Sequence, residues 1–336
     1  PLGRQPLSSS QVRSLVLNAV PEKQRERFQE EHEANFALSL ESAGRFRVSA
    51  FQQRNEPAMV VRRIAQTIPT LSALGVPSQL ATLANAKRGL VLVVGGTGTG
   101  KSTTLAAMIQ ERNASVGGHI ITIEDPIEYL HPHQRGIVNQ REVGVDTDSY
   151  RSALENAMRQ APDVIQIGEV RTPETMKSAI VFAETGHLCL ATLHANNTYQ
   201  ALERVVNLYP DDARNQLYMG LSMNLKAIVC QRLVPRVGNG GFVPAVEVML
   251  NSPLISDLIL KGEIDEIKEA IERSTGEGMK TFDQCLFDLF EQGLITYEDA
   301  MRSADSVNNL RLRIKLEGKE AISQKQLGST FDKVEF

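Results

Sequence analysis

The sequence predicts an α/β protein built on a mostly parallel sheet, with a smaller α+β unit before it and a helical region after it. Three observations carry this expectation. From Arg88 onward, short apolar runs at 90–94, 120–123, 164–167 and 188–193 alternate with helical stretches at 101–112, 149–160, 173–185 and 197–208. Strands that alternate with helices signal parallel pairing. Upstream, apolar Phe46 and Val48 alternate with Arg45, Arg47 and Ser49, the period of a half-buried strand. Beyond about residue 250 the pattern becomes helical, most strongly in TFDQCLFDLFEQG at 281–293.

Taken in order, Ser8–Ser10 stands where a cap is needed for a helix running through Val20. PEKQRERFQEEH at 21–32 reads as a charged helix with Pro in its first turn. A Ser-Ala-Gly turn then leads into the strand RFRVSAFQ at 45–52, with AMVVRRI at 58–64 as its partner. QTIPTLSALGVP at 66–77 reads as the way out of this unit. The expected division is an N-terminal domain at 1–66, a linker at 67–77, the main domain at 78–305 and a polar, charged tail at 306–336. Within that tail, RLRIKLEGKE reads as a frayed helix, and there is no internal repeat. The opening PLGRQPLSSS carries no Met, which leaves room for residues upstream of Pro1.

Composition narrows the function classes. Among 336 residues, Lys plus Arg number 36 and Asp plus Glu number 40, a net charge of −4. With no tryptophan as well, the chain lacks the basic surplus and stacking aromatics of a dedicated nucleic-acid binder, so no nucleic-acid partner is expected. Cys189, Cys230 and Cys285 are odd in number and far apart, which fits neither a disulfide framework nor a zinc site and points to a reducing, cytoplasmic setting. No apolar run approaches the roughly 18 residues of a membrane span, and nothing reads as a signal peptide.

The strongest local signal is LVLVVGGTGTGKSTT at 90–104. Gly95, four residues and then Gly100, Lys101 and Ser102 complete a G-x-x-x-x-G-K-S between an apolar strand and a helix. The glycines let backbone N–H groups close around phosphate oxygens at a helix start. Lys101 then reaches the β- and γ-phosphates, and the Ser102 hydroxyl ligates Mg²⁺. The candidate nucleotide-binding set is Gly95, Gly96, Thr97, Gly98, Thr99, Gly100, Lys101, Ser102 and Thr103. An ordinary Gly-rich turn with a surface lysine would not need this strand-loop-helix setting.

Three further stretches end strands in chemistry-bearing residues. IITIEDPIEYLH at 120–131 presents Glu124, Asp125 and Glu128, and APDVIQIGEVR at 161–171 ends its apolar run at Gly168 and Glu169. ETGHLCLATLHANN at 184–197 places His187 and His194 at either end of a strand. Each alone has an ordinary explanation: acids at strand ends cap helices, and strand histidines are core or edge residues. Ligands of parallel sheets, however, bind at the C-terminal strand ends, where the Gly-rich loop, Asp125–Glu128 and Glu169 all fall.

Together, GGTGTGKSTTLAAMI, TIEDPIEY, APDVIQIGEVR and AETGHLCLATLHANN resemble the Walker A, Asp box, atypical Walker B and His box of the type II/type IV pilus secretion ATPases. In that family a Gly-Glu replaces the usual acidic pair of Walker B, which accounts for the lone Glu169. The resemblance runs from about Arg45 almost to Leu316. It is closest to the pilus-retraction branch, and there to PilU-type rather than PilT-type members, through GRFRVSAFQQRN, QRLVP and SADSVNNLRLRIKL. The four-cysteine zinc element of the assembly and secretion motors has no counterpart here.

The resemblance implies a RecA-like P-loop ATPase core behind a PAS-like N-terminal domain whose first elements lie upstream of Pro1. It implies a homo-hexamer that hydrolyses ATP with Mg²⁺ at subunit interfaces, held peripherally at the inner membrane by a pilus platform protein. By motif, Glu128 polarises the attacking water and Glu169 holds magnesium or its water shell, with the two roles open to exchange. His187 and His194 couple the γ-phosphate site to the neighbouring domain. Arginines supplied in trans complete such sites; the candidates are Arg45, Arg47, Arg54 and Arg62, with Arg63 beside them and Arg171 acting within its own subunit. Thr172 stands where PilT-like members carry Asp, and NSPLISDLILKGE at 251–263 lacks the arginine of an Ala-Ile-Arg motif. These departures favour a motor that supports retraction alongside a PilT-like ATPase. A nucleotide-gated interaction subunit with little turnover and a RecA-like nucleic-acid motor are the alternatives.

Overall fold

A computed structural model describes residues 5–40, 43–65, 67–238 and 240–318. Two helices, α1 (Ser9–Ala19) and α2 (Glu22–Glu31), lead into strands β1 (Glu33–Leu40), β2 (Gly44–Gln53) and β3 (Glu56–Arg63). Ser8 caps α1 in a capping box with Gln11. The strands form an antiparallel sheet in sequence order, with Val48 opposite Phe36 and Val61. Val16, Val20, Phe28, Phe36, Val48 and Ala50 bury the inner face, so α1 and α2 cover one side only. Arg45, Arg47 and Ser49 point to the other side, as their alternation requires. The strand β1 was not expected from the sequence: EANFALSL breaks its alternation with Ala37–Leu38, both half-buried.

Helices α3 (Leu71–Leu74) and α4 (Gln79–Ala84) lead to the main unit. It runs β4 (Gly89–Val94), α5 (Lys101–Ser115), β5 (Gly118–Glu124), β6 (Gly136–Glu142), α6 (Tyr150–Ala157), β7 (Val164–Ile167), α7 (Pro173–Glu184), β8 (Leu188–Leu193), α8 (Thr198–Asn207), α9 (Arg214–Asn224), β9 (Leu225–Pro235) and β10 (Phe242–Leu250). The seven strands lie in the order β10-β9-β4-β8-β7-β5-β6, all parallel except the β9–β10 pair. The sheet is therefore mixed, with one antiparallel edge. Every residue of β4 is buried: Leu90, Leu92 and Val94 face one cluster, Val91 and Val93 the other. Burial on both faces is why this strand reads as an unbroken apolar run.

The four expected strands are present, while β6, β9 and β10 went unpredicted. GIVNQRE is a polar edge strand, and β9 interrupts its apolar residues with Gln231 and Arg232. The chain closes with α10 (Pro253–Lys261), α11 (Ile267–Arg273), α12 (Phe282–Glu291), α13 (Tyr297–Ser303) and α14 (Val307–Glu317). The expected frayed helix at 311–320 is instead the body of α14, capped by Ser306 and anchored on α12 by the fully buried Leu310. The rest of the expected tail, 319–336, lies outside the described residues. Among the described residues, no helix is long and apolar enough to cross a membrane.

Candidate active site

The Gly-rich loop spans the gap between β4 and α5 at the C-terminal edge of the sheet. Gly100, the N-cap of α5, sits in the left-handed region at φ +87°, where a side chain would be strained. A Cβ there would also stand 2.9 Å from Gln231 Nε2, and one on Gly95 only 2.6 Å from the Gln231 carbonyl oxygen. Gln231 is thus the floor under the loop, and its Oε1 accepts from the Thr104 hydroxyl at 2.7 Å. Lys101 is buried and folds back over the loop, its Nζ donating to the carbonyl oxygens of Gly95 (3.0 Å) and Gly96 (2.7 Å). Burial pushes its ammonium pKa down, against the upward pull of Glu169 and Glu128. Thr99 donates to the Gly96 carbonyl (2.9 Å), which braces the turn.

A cavity of about 320 Å³ opens beside the loop, lined by Thr97, Gly98, Lys101, Ser102, Asp125, Glu128, Glu169 and His194, among others. Parallel pairing brings these together, because β4, β5, β7 and β8 end at one edge. Glu124, the last residue of β5, is buried; its Oε1 accepts from Thr122 Oγ1 (2.6 Å) and Gln140 Nε2 (3.1 Å), and burial raises its pKa. Gln140 also donates to the Tyr129 carbonyl (2.8 Å), while Glu142 accepts from Ile127 N (3.2 Å). The unpredicted β6 therefore holds the acid loop in shape. Thr103 on α5 meets the Tyr129 hydroxyl at 2.9 Å, tying that loop to the first turn after Lys101.

Glu169 follows β7 and is occupied on both oxygens. Arg171 Nη2 lies 2.6 Å from Oε2, and His194 Nε2 lies 3.4 Å from Oε1. Burial, then the Lys101 charge, lowers the His194 pKa, which keeps the imidazole neutral near pH 7. Glu128 carries no hydrogen bond or ion pair among the described residues and faces the cavity.

Two predicted residues are placed elsewhere. His187 stands at the start of β8, where Nδ1 lies 3.0 Å from Thr185 Oγ1 and 3.1 Å from the Phe182 carbonyl, with its ring edge-on to Phe182. The length of β8, roughly 20 Å at a strand's rise per residue, separates it from His194. His187 thus closes a helix-to-strand turn and does not line the cavity. Arg54 lies at the tip of the β2–β3 hairpin at φ +48°, exposed and away from the cavity. The other arginines divide. Arg45 pairs with Glu142 at 3.5 Å. Arg47 and Arg62 are opposite one another in the sheet and line, with Arg63, a second cavity of about 100 Å³ that shares Pro126, Glu128 and Tyr129 with the first. They meet the acid loop within the same chain.

Sequence reasoning passed over Gln166, Tyr150, Thr192 and His131, all of which line the main cavity. Gln166 carried a signal, a polar residue inside the apolar VIQI, as did Gln231 inside AIVCQRLV.

Comparison with known proteins agrees with this arrangement. Residues 16–248 match the family model for type II/IV secretion system proteins. The type IV pilus ATPase PilU of Pseudomonas aeruginosa is 60% identical over 94% of this chain and 83% of its own. The type IV pilus retraction ATPase PilT of the same organism is 40% identical over 90% of this chain and 88% of its own. The crystal structure of the pilus retraction motor PilT with bound ADP superposes with a TM-score of 0.84 at 40% identity, covering 89% of this chain and 85% of that one. The chain belongs to the type II/IV secretion system protein family and is one of its ATPases.

Proposed function

We propose that the 320 Å³ cavity binds and hydrolyses ATP to drive or assist type IV pilus retraction, as a ring-shaped hexamer beside a PilT-like motor. The observation that carries this is the convergence of Lys101, Ser102, Glu128, Glu169 and His194 on one cavity, in a chain so close to PilU. The loop N–H groups and Lys101 take the phosphates, the ammonium exchanging its two carbonyl partners for phosphate oxygens. Glu128, which makes no hydrogen bond or ion pair among the described residues, accepts a proton from the water that attacks the γ-phosphorus. The bond to the bridging oxygen breaks, leaving ADP and inorganic phosphate.

The donors present suit magnesium: a hydroxyl at Ser102 and a carboxylate at Glu169 are hard oxygen ligands. Among the described residues no group of three His, Cys, Asp or Glu side chains forms a metal cage. Magnesium is held by one or two protein oxygens together with the substrate's phosphates. When bound, it neutralises charge on the β- and γ-phosphates. Glu169 must first loosen its Arg171 contact, so Arg171 is available to the nucleotide within its own subunit.

Arg47 and Arg62 are the arginines suited to act on a neighbouring subunit's nucleotide, because Arg45 is engaged by Glu142 and Arg54 lies at a hairpin tip. The departure at Thr172 supports the supporting-motor role, and the partner is an inner-membrane pilus platform protein that holds the ring at the cytoplasmic face. The decisive experiment is ATP turnover by the purified protein and its Lys101→Ala variant. The variant should lose turnover and bind triphosphate far more weakly while keeping its melting temperature. Wild-type turnover in Lys101→Ala would refute the assignment.

A further inference from the structure

Tyr150 opens α6, whose N-cap Ser149 accepts from Ser152 N. The side chain is half-buried, packs against the main core and lines the cavity. Its hydroxyl reaches the end of β7 so closely that a Cβ on Gly168 would stand 2.7 Å from Oη. The next atoms are the Ile123 carbonyl oxygen at 3.1 Å and Glu124 Cα at 3.2 Å. Gly168 does not belong to the positive-φ glycines of the chain. Its missing side chain answers a demand for space rather than for backbone freedom, and the first claimant of that space is the tyrosine hydroxyl.

That hydroxyl makes no hydrogen bond to any described residue. Its charged surroundings include Asp125, Glu124 and Glu169, with Arg171 acting in the opposite sense. Burial, reinforced by the three acids, pushes the phenol pKa well above its ordinary value. It is a neutral O–H donor beside three carboxylates, able to meet a phosphate without adding negative charge.

We propose that Tyr150 is a further catalytic residue of the ATPase: its hydroxyl donates a hydrogen bond to the terminal phosphoryl group as that group is transferred. Preorganised donors aimed at developing charge act on the transition state more than on the bound substrate. The proton stays on Tyr150 throughout. The proposal rests on the cavity being the site of hydrolysis.

The test is Tyr150→Phe, which keeps the ring in the core and removes only the donor. Turnover should fall by about 10- to 100-fold. Affinity for ADP should stay within about twofold of wild type, while affinity for ADP–vanadate, which mimics the transferred group, should fall about tenfold or more. Unchanged turnover and vanadate affinity would overturn the proposal. So would an equal loss of ADP affinity, since a structural role moves all ligands together. A second arm uses Gly168→Ala, which should lower the melting temperature. Adding Tyr150→Phe should restore part of that loss without restoring turnover. A double variant as unstable as Gly168→Ala alone would show that the hydroxyl does not occupy the gap, which also overturns the proposal. Lys101→Ala, run alongside, separates the two claims: retained turnover there refutes the site itself, whereas a loss there with normal Tyr150→Phe refutes the tyrosine's role alone.

Discussion

Glu128 and Glu169 face the same cavity, yet their partners differ. Glu169 is held at 2.6 Å by Arg171 and at 3.4 Å by His194, whereas Glu128 makes no hydrogen bond or ion pair among the described residues and acts only at longer range on Lys101. A partnered carboxylate is oriented for holding a cation, and an unpartnered one is available to take a proton. Glu128→Gln and Glu169→Gln keep size and lose charge, so ATP should still bind while hydrolysis falls by about two orders of magnitude or more. Raising magnesium should recover part of the Glu169→Gln loss and none of the Glu128→Gln loss. Equal responses in a magnesium titration of both variants would remove this division of labour. The need for two such acids was legible in IEDPIEY and IGEVR. Their unequal surroundings were not: Arg171 stands two residues from Glu169 in the same stretch, but its turn back onto that acid and the approach of His194 from the end of β8 are set by the fold.

The loop between β5 and β6 shows how an element is set by groups outside it. Gln140 and Glu142 hold it from β6, Thr103 holds it from α5, and Ala65, just beyond β3, bridges to Tyr129. His131 lies within this loop, its backbone N–H donated to Gln140 at 2.8 Å and its Nδ1 buried without a hydrogen-bond partner among the described residues. Burial lowers its pKa from 6.5 to about 4. The sign follows from linkage. The unfolded chain takes the proton near pH 6.5 and the folded chain only near 4, so stability falls as pH drops through that window. The loss approaches roughly 3 kcal/mol below pH 4 for an ideal buried group. Glu124 and Glu142, raised by burial, work in the opposite sense above their ordinary range, so the comparison must be between variants. His131→Asn should flatten the decline between pH 6.5 and 4 in denaturant titrations. An unchanged slope would show that His131 is not the group responsible.

At the scale of the whole molecule, the outer face of the three-stranded sheet meets the acid loop through Arg47 and Arg62, with Arg63 at the end of β3 lining the same cavity. In the proposed ring, a second subunit's nucleotide would lie against the same face, and one arginine can complete a neighbour's site. Arg47→Ala should then lower turnover without changing nucleotide affinity. Mixed with Lys101→Ala subunits, Arg47→Ala subunits should partly restore turnover, because each variant repairs a different half of an interface. Mixed rings with demonstrated subunit exchange and no gain in activity would exclude an in-trans role for Arg47. The sequence flagged the pair's strand and its face correctly through alternation. It could not separate Arg47 from Arg45, which share that face, since only the fold gives Arg45 its partner Glu142.

By itself the sequence determined the parallel core, the Gly-rich loop, the position of the acids at strand ends and the helical C-terminal region. Each of these is written in contiguous residues: unbroken apolar runs for strands buried on both faces, and fixed spacing for a loop that wraps phosphate. The separation of His187 from His194 was also within its reach, since a strand of known rise stands between them. Only the tertiary structure decided that β6 shapes the acid loop, that Gln231 carries the Gly-rich loop, and that α14 docks through Leu310. It alone placed the Tyr150 hydroxyl in the space left by Gly168. These are contacts between segments far apart in the chain, fixed by close approach of particular atoms, and no local periodicity or spacing encodes them.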